Sequence, residues 1–540
     1  MTTTDAPASA TRTPVVLVAD KLDPAGVAIL EECGIEARFC PVMTPEELLT
    51  AAADVDGILV RSAAKVTADV IEAAPRLKAV GRAGIGVDNI DLTAASRKGV
   101  LVMNTPLANA TTTAEMAIAH MFGLARHTAE AQASMRAGRW DKSKLVGREV
   151  TGKTLAVIGL GKIGRIVAER GLGLRMNVIA YDPFLTGKSP LPGVELVDLD
   201  TALAQGDFIT IHVPKSKDTL GLIDTEAFAK MKPDACLINC ARGGVVTEDD
   251  LVAALNAGQL AGAALDVFES EPLAEDSPLR SVPNLLLTPH LGASSSEAQQ
   301  RVSTEIARQM ADYLLRDEAR CAVNAPSVAP EELAALRPWM TFARRGGLML
   351  SQVADSPVVR LEIAYRGELT ERGTDPVRTE AVAGVLSPSM DGPVNAVNAA
   401  ALAEERGLAV LEERSSTTGV ASAANLELRA TTQDGTVHTV TGTVQDGQPR
   451  LTAFDGYRVD FVPAGPLLLT RHNDEPGVLA QVATALGDAG VNIGGLHMSA
   501  RRNDTTSALA LYELSRPLEA AELASLEALA KIVAARTVEL

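Results

Sequence analysis

Three residues, Arg242, Glu271 and His290, carry the side chains that oxidation of an alcohol by hydride transfer demands. The hydroxyl proton needs a base, and an imidazole serves near neutral pH. A carboxylate beside it orients the ring and raises its proton affinity. A substrate anion needs a cation, and a planar guanidinium matches a carboxylate. Arg242 lies in Asn239-Cys240-Ala241-Arg242-Gly243-Gly244, Glu271 just beyond Leu265-Asp266-Val267-Phe268, and His290 in Thr288-Pro289-His290-Leu291-Gly292-Ala293. Each follows an apolar run that reads as a strand, and ligands in open α/β sheets collect beyond the carboxyl ends of strands.

The hydride acceptor is announced by Gly159-Leu160-Gly161-Lys162-Ile163-Gly164, which follows one strand signal and opens a helix. The glycines permit a tight turn, close approach of a pyrophosphate and close helix–strand packing. The helix N-terminus offers amides to phosphate. Asp182 ends the next strand signal, where a carboxylate holds ribose hydroxyls and repels a 2′-phosphate. NAD is therefore expected over NADP.

The elements around these residues form four blocks. Residues 14–108 alternate buried strands (Val15–Ala19, Gly57–Val60, Leu77–Val80) with helices (Pro24–Glu32, Pro45–Ala53), the pattern of a parallel sheet. A long apolar helix is expected over Thr113–His127. Six further strand signals follow, at Leu155–Ile158, Asn177–Ala180, Phe208–Ile211, Ala235–Ile238, Ala263–Leu265 and Leu285–Leu287, then a helix over 295–316. Beyond Pro326 the texture becomes α+β. Two-residue alternation marks Val358–Tyr365, Asn425–Ala430 and Val437–Val444, Asp446-Gly447 and Asp455-Gly456 mark hairpin turns, and helices are expected over Ala329–Leu350 and Val394–Arg406. The last block reads β-α-β-β-α-β, with strands at Leu467–Thr470, Val491–Ser499, Ser507–Leu514 and Thr537–Leu540 and helices at Val478–Asp488 and Leu518–Ile532.

The chain has 540 residues, room for three or four domains. Acidic residues outnumber basic ones 68 to 50, for a net charge of −18, which argues against nucleic acid as a partner. No apolar run is long enough for a membrane span. Residues 1–13 carry no secretory signal and read as a disordered tail. Five cysteines without a Cys-x-x-Cys pair suit a reducing cytoplasm. His120, in an apolar helix, reads as a core histidine. His127, His438 and His497 have no clustered ligands, so no metal site is expected.

The glycine loop, the segments around Arg242, Glu271 and His290, and Gly81-Arg82-Ala83-Gly84-Ile85-Gly86-Val87-Asp88-Asn89-Ile90-Asp91 resemble the D-isomer-specific 2-hydroxyacid dehydrogenases. The two extra domains resemble the long, phosphoglycerate-oxidising branch of that family. The resemblance implies two Rossmann-like doubly wound domains. One is a flavodoxin-like substrate domain split between 14–108 and 290–325, and the other an NAD domain, 109–289, inserted in it. An α+β intervening domain, 326–464, and a ferredoxin-like ACT domain, 465–540, would follow. It implies catalysis by Arg242, Glu271 and His290. The NAD site would be lined by Ile85, Gly159, Gly161, Lys162, Ile163, Gly164, Asp182, Val213, Cys240, Ala241, Arg242, Asp266, His290 and Gly292.

The substrate, 3-phospho-D-glycerate, would meet Arg61, Ser62, Arg82, Asn104, Arg242 and His290, and leave as 3-phosphooxypyruvate, in the first step of phosphorylated L-serine biosynthesis. L-serine would bind at His472, Asp474 and Asn492 between paired ACT domains, making a homo-oligomer, a dimer or tetramer. Arg139, Lys142 and Lys144 read as a solvated basic face. A different 2-hydroxy acid, a 2-oxoglutarate side activity and a non-catalytic NAD sensor are the competing readings.

Overall fold

A computed structural model of the chain describes residues 12–41, 43–326, 328, 330–417, 424–501 and 504–540. The tail expected over 1–13 lies outside the described residues except for its last two positions.

The first sheet holds β1 (Val15–Val18), β2 (Glu36–Phe39), β3 (Gly57–Val60), β4 (Ala79–Arg82) and β5 (Leu101–Asn104). All pair in parallel, in the order β2-β1-β3-β4-β5, the flavodoxin-like arrangement. The helix Pro24–Glu32 starts where Asp23 caps Ala25 N and Pro24 presets the first turn. Helix Ser296–Arg316, far along the chain, returns to this sheet. Its Val302, Ile306 and Met310 are buried with Val16, Leu59 and Met103.

The second sheet holds β6 (Thr154–Ile158), β7 (Asn177–Tyr181), β8 (Val194–Leu196), β9 (Phe208–Ile211), β10 (Cys236–Asn239), β11 (Gly262–Leu265) and β12 (Leu285–Leu287). Its order, β12-β11-β10-β9-β6-β7-β8, is the dinucleotide-binding arrangement with one strand added. The chain order reverses between β6 and β9, which opens a crevice at their carboxyl ends. Helix Ala110–Arg126 carries the chain from the first sheet to the second.

Neither β2 nor the three-residue β8 was among the expected strands. Both lie at sheet edges, where one flank needs no apolar neighbour, and Glu-Ala-Arg-Phe in β2 has no strand-like texture. The expected Leu77–Val80 strand begins two residues later, and β5 is an additional strand at the other edge of the sheet.

The third sheet holds β13 (Val358–Gly367), β14 (Ala409–Ser415), β15 (Ala424–Thr432), β16 (Val437–Gln445), β17 (Gln448–Phe454) and β18 (Tyr457–Phe461). Both expected hairpin turns are present, and Asp446-Gly447 and Asp455-Gly456 have positive φ at both residues. Two helices, Pro330–Val353 and Asp375–Leu386, cover one face. The second was not expected. It is buried nearly all round, so it lacks the polar stripe by which a surface helix is read.

The fourth sheet holds β19 (Pro466–Asn473), β20 (Ile493–Arg501), β21 (Asp504–Leu514) and β22 (Ile532–Glu539), ordered β20-β21-β19-β22 and antiparallel. The last helix ends at Glu527, not Ile532. Ile532 instead opens β22, where it pairs with His472 of β19.

This sheet has two buried faces. Leu468, Ala510 and Tyr512 pack under the domain's own helices. Leu467, Leu469, Leu509, Leu511 and Val538 join the core built by Leu336, Phe342 and Leu350 of the preceding domain. The free edge of β22 is closed by Gln352, whose amide exchanges two 3.0 Å hydrogen bonds with the backbone of Glu539.

Candidate active site

The glycine loop turns out of β6 at Gly159, which sits at φ 93° and so suits only glycine. Gly164 lies against the Gly159 carbonyl, where a side chain would overlap backbone. Gly161 differs, because a Cβ there would meet nothing within 4 Å. That open cradle, at the N-terminus of helix Lys162–Gly173, fits a pyrophosphate. Asp182 follows β7 and accepts hydrogen bonds from Leu160 N at 2.9 Å and Phe184 N at 3.0 Å. It thereby ties the loop to the adjoining strand end, where a ribose carboxylate belongs. Lys162 and Ile163 occupy the first helical turn, and Val213 follows the end of β9.

His290 and Glu271 meet directly. His290 Nδ1 donates to Glu271 Oε2 at 2.7 Å, and the second carboxylate oxygen accepts from Phe268 N at 3.0 Å. A carboxylate only accepts, so the proton of the neutral imidazole stands on Nδ1 and the Nε2 lone pair is left for a substrate proton. Burial pushes the Glu271 carboxyl up. The bonds from His290 and Phe268 N, with nearby Arg242, more than reverse this and leave it below the usual carboxylate range.

Arg242 is aimed by its own turn. Asn239 donates to the Arg242 carbonyl and accepts from Ala241 N, both at 3.0 Å, while Arg242 Nη1 donates to the Ala241 carbonyl at 2.7 Å. Its Nε reaches Asp88 of the first domain at 3.3 Å. On the same domain the Arg82 guanidinium is largely buried, and its Nε has no hydrogen-bond partner. Burial, then the charge of Arg242 and that of Arg61, pull its proton affinity down to about 10, against Asp88 and Asp20. Three cations thus converge on one cleft with a donor left over, an arrangement that suits a multivalent anion.

Arg61 is held at the end of β3. Asp20 accepts from its N–H at 3.1 Å, and Arg61 Nη1 donates to the Lys21 carbonyl at 3.2 Å. Ser62 beside it is exposed. Asn104 donates through its amide to the Ile85 carbonyl at 2.6 Å, so that amide shapes the loop between Arg82 and Asp88.

Asp266, Cys240 and Gly292 are buried behind the cleft. Asp266 is fully buried, and both carboxylate oxygens are engaged by Thr288, Leu291 N and Gly292 N. Cys240 is buried against His120 at 3.4 Å. Arg139 and Lys144 are paired with Asp141, as a solvated face would be. Asp20, Asp88, Asn239 and Thr288 were not singled out from sequence. Asp88, Asn239 and Thr288 lie within the quoted motifs, but for Asp20, whose partners Arg61 and Ala63 lie some forty residues away, no signal existed.

The effector residues are not presented together. Asp474 and Asn492 are exposed, but His472 is 1% exposed. Leu468, Thr470 and His472 share the face of β19 that lies under the helices, and Thr470 Oγ1 stands 3.4 Å from His472 Nδ1. Of the three residues expected to take L-serine, His472 is the one that lies beneath the helices.

The crevice between two parallel sheets, with an imidazole–carboxylate pair, an arginine and a glycine cradle, has the architecture of a nucleotide-dependent dehydrogenase. Comparison with known proteins agrees. The family described as D-isomer specific 2-hydroxyacid dehydrogenase, NAD binding domain, matches residues 118–292. The D-3-phosphoglycerate dehydrogenase intervening domain matches residues 335–455. D-3-phosphoglycerate dehydrogenase of Synechocystis is 40% identical over 530 residues, covering 97% of this chain and 94% of that protein. The Methanocaldococcus jannaschii enzyme of the same name is 40% identical over 498 residues, covering 92% of this chain and 94% of its own. Among solved structures, a Thermus thermophilus protein superimposes with TM-score 0.54 at 32% identity, over 57% of this chain and 99% of that one. An NAD-dependent formate dehydrogenase from Staphylococcus aureus, in complex with NAD, does so with TM-score 0.53 at 28% identity, over 58% and 100%. The chain belongs to the D-3-phosphoglycerate dehydrogenase family of D-isomer-specific 2-hydroxyacid dehydrogenases, whose cofactor is NAD.

Proposed function

We propose that the chain oxidises 3-phospho-D-glycerate to 3-phosphooxypyruvate with NAD, the first step of phosphorylated L-serine biosynthesis. The carrying observation is the convergence of Arg61, Arg82 and Arg242, with Arg82 Nε buried and unpartnered. The substrate brings a carboxylate at C1 and a phosphate at C3, on either side of the reacting carbon, and three guanidiniums match that charge. The names of the relatives agree.

Bound at the glycine loop, NAD supplies the hydride acceptor. His290 Nε2 takes the C2 hydroxyl proton as the C2–H electron pair leaves and the carbonyl forms. Glu271 holds the ring through Nδ1 and stabilises the imidazolium. Arg242 holds the C1 carboxylate and the C2 oxygen, and Arg82 and Arg61 take the phosphate. Closure of the two domains, bridged here by Arg242 and Asp88, excludes water from the site.

The C-terminal sheet has ferredoxin-like order, and its edge strand β20 exposes Leu496 and Met498. These features support a homo-oligomer, a dimer or tetramer, with L-serine as an inhibitor taken between paired ACT domains near Asp474 and Asn492. All five cysteines are free, as a cytoplasmic enzyme's would be.

The test is NADH formation from 3-phospho-D-glycerate, with the product removed, titrated with L-serine while molar mass is read by light scattering. Turnover suppressed by serine is expected. Turnover indifferent to serine would remove the effector, and NAD binding without turnover would remove the substrate.

A further inference from the structure

His120 sits on helix Ala110–Arg126, 3% exposed, and joins two turns that are remote from it in sequence. Its Nε2 lies 3.1 Å from Thr288 Oγ1, and its Nδ1 lies 3.4 Å from Cys240 Sγ. The Thr288 hydroxyl donates its single proton to Asp266 Oδ1 at 2.5 Å. Its oxygen must therefore accept, so His120 carries its proton on Nε2. The Nδ1 lone pair then accepts from the Cys240 thiol. Every proton in the row Cys240–His120–Thr288–Asp266 is assigned, with the ring neutral. Burial favours the same assignment, holding His120 below the usual imidazole range against Asp266 and keeping the Cys240 thiol protonated.

Both ends of the row reach the reacting groups. Cys240 stands two residues before Arg242. Asp266 accepts from Leu291 N at 2.8 Å and Gly292 N at 2.7 Å, just after His290. Thr113, two helical turns before His120 on the same face, donates to the Gly292 carbonyl at 3.0 Å. His290 itself has φ 54°, a left-handed conformation that a non-glycine residue keeps only where its surroundings hold it. Glu271 fixes its ring, while the row fixes the chain on both sides of it.

We propose that His120 is a positioning residue for the reaction, holding the Arg242 turn and the His290 turn in register from behind the cleft. The proposal rests on the oxidation described above. A satisfied core histidine would not need to bridge both turns.

The test compares His120→Leu, His120→Gln and Thr288→Val in the full-length enzyme by steady-state kinetics and NADH fluorescence titration. Misplacing a reacting group slows chemistry steeply, so His120→Leu is expected to lose roughly tenfold or more in kcat, with both KM values and NADH affinity within about twofold. Gln keeps a donor for Thr288 and should restore most of the loss. A double variant of His120→Leu and Thr288→Val should be no slower than the slower single variant, because both cut one link. Wild-type kcat in His120→Leu would overturn the proposal. So would multiplying losses in the double variant, or equal losses in Leu and Gln that follow melting temperature. Should His120→Leu fail to fold, Thr288→Val with an unchanged kcat would overturn it alone. Wild-type turnover is read first. Its absence counts against the substrate rather than against His120, and the variants are then scored on NADH-dependent reduction of 2-oxoglutarate. Absence of both activities overturns both proposals.

Discussion

The guanidinium of Arg242 rests on the α-carbon of Gly86, across the cleft between the two parallel sheets, and a methyl group on Gly86 would overlap Nη2 and crowd Asp88. The obstructing atoms are ends of side chains, so Gly86→Ala should fold with little change in melting temperature. The cost falls on the aim of Arg242. We expect kcat/KM for 3-phospho-D-glycerate to fall about a hundredfold, since small misplacements of a clamp are that expensive. Unchanged kcat/KM would show that Arg242 is free to choose its own position.

Glu271→Gln keeps an acceptor for His290 Nδ1 but removes the negative charge that steadies the imidazolium. The expected outcome is a kcat lower by at least about tenfold. In the wild type, Glu271 has a depressed proton affinity, so its contribution is present above the usual carboxylate range and is lost as pH falls through the depressed value. Comparing kcat for both proteins from pH 5 to 9, above that range, reads the loss of the charge.

Two glycines of one loop should fail in different ways. Gly161→Ala adds a methyl where the protein has open space, so the fold should survive while NADH affinity drops at least about tenfold. Gly164→Ala drives a methyl into the Gly159 carbonyl, so melting temperature and affinity should fall together. Thermal melts paired with NADH titrations test the contrast, and equal NADH affinity in Gly161→Ala and wild type would move the pyrophosphate elsewhere.

His438 and Asp455 predict a pH-dependent stability in the third sheet. His438 Nδ1 bonds Asp455 at 2.8 Å, and that bond, against the effect of burial, raises the proton affinity of the ring. The folded state then binds the proton more tightly than the unfolded state. The stabilisation is full below about 6.5, the ordinary imidazole value, and fades as pH rises through the raised one. Asp455→Asn suits the same positive φ and removes the charge. Its urea midpoint should fall furthest below wild type at pH 6 and approach it by pH 8 or 9.

Elements whose whole face is apolar were legible from sequence, among them β3, β9, β12 and helices Pro24–Glu32 and Val478–Asp488, which fall on the expected residues. The edge strands β2 and β8 were not, because they carry too little apolar pattern, and the buried helix Asp375–Leu386 carries too much. At the site, types and spacing pointed to Arg242, Glu271 and His290, and two of these are hydrogen-bonded to each other. Burial was harder to read. His472 belongs to an alternating strand whose inner face is chosen by the helices above it. His120 makes its bonds 120 and 168 positions away along the chain. No local pattern records such partners.

The fourth sheet contributes Leu467, Leu469, Leu509, Leu511 and Val538 to the same core as Leu336, Phe342 and Leu350. A protein cut before Pro466 would therefore bare a continuous oily face that now lies dry, and such faces drive self-association. The C-terminal seventh is a keystone, not an appendage. Its loss would show as insolubility before it could be measured as a change in regulation.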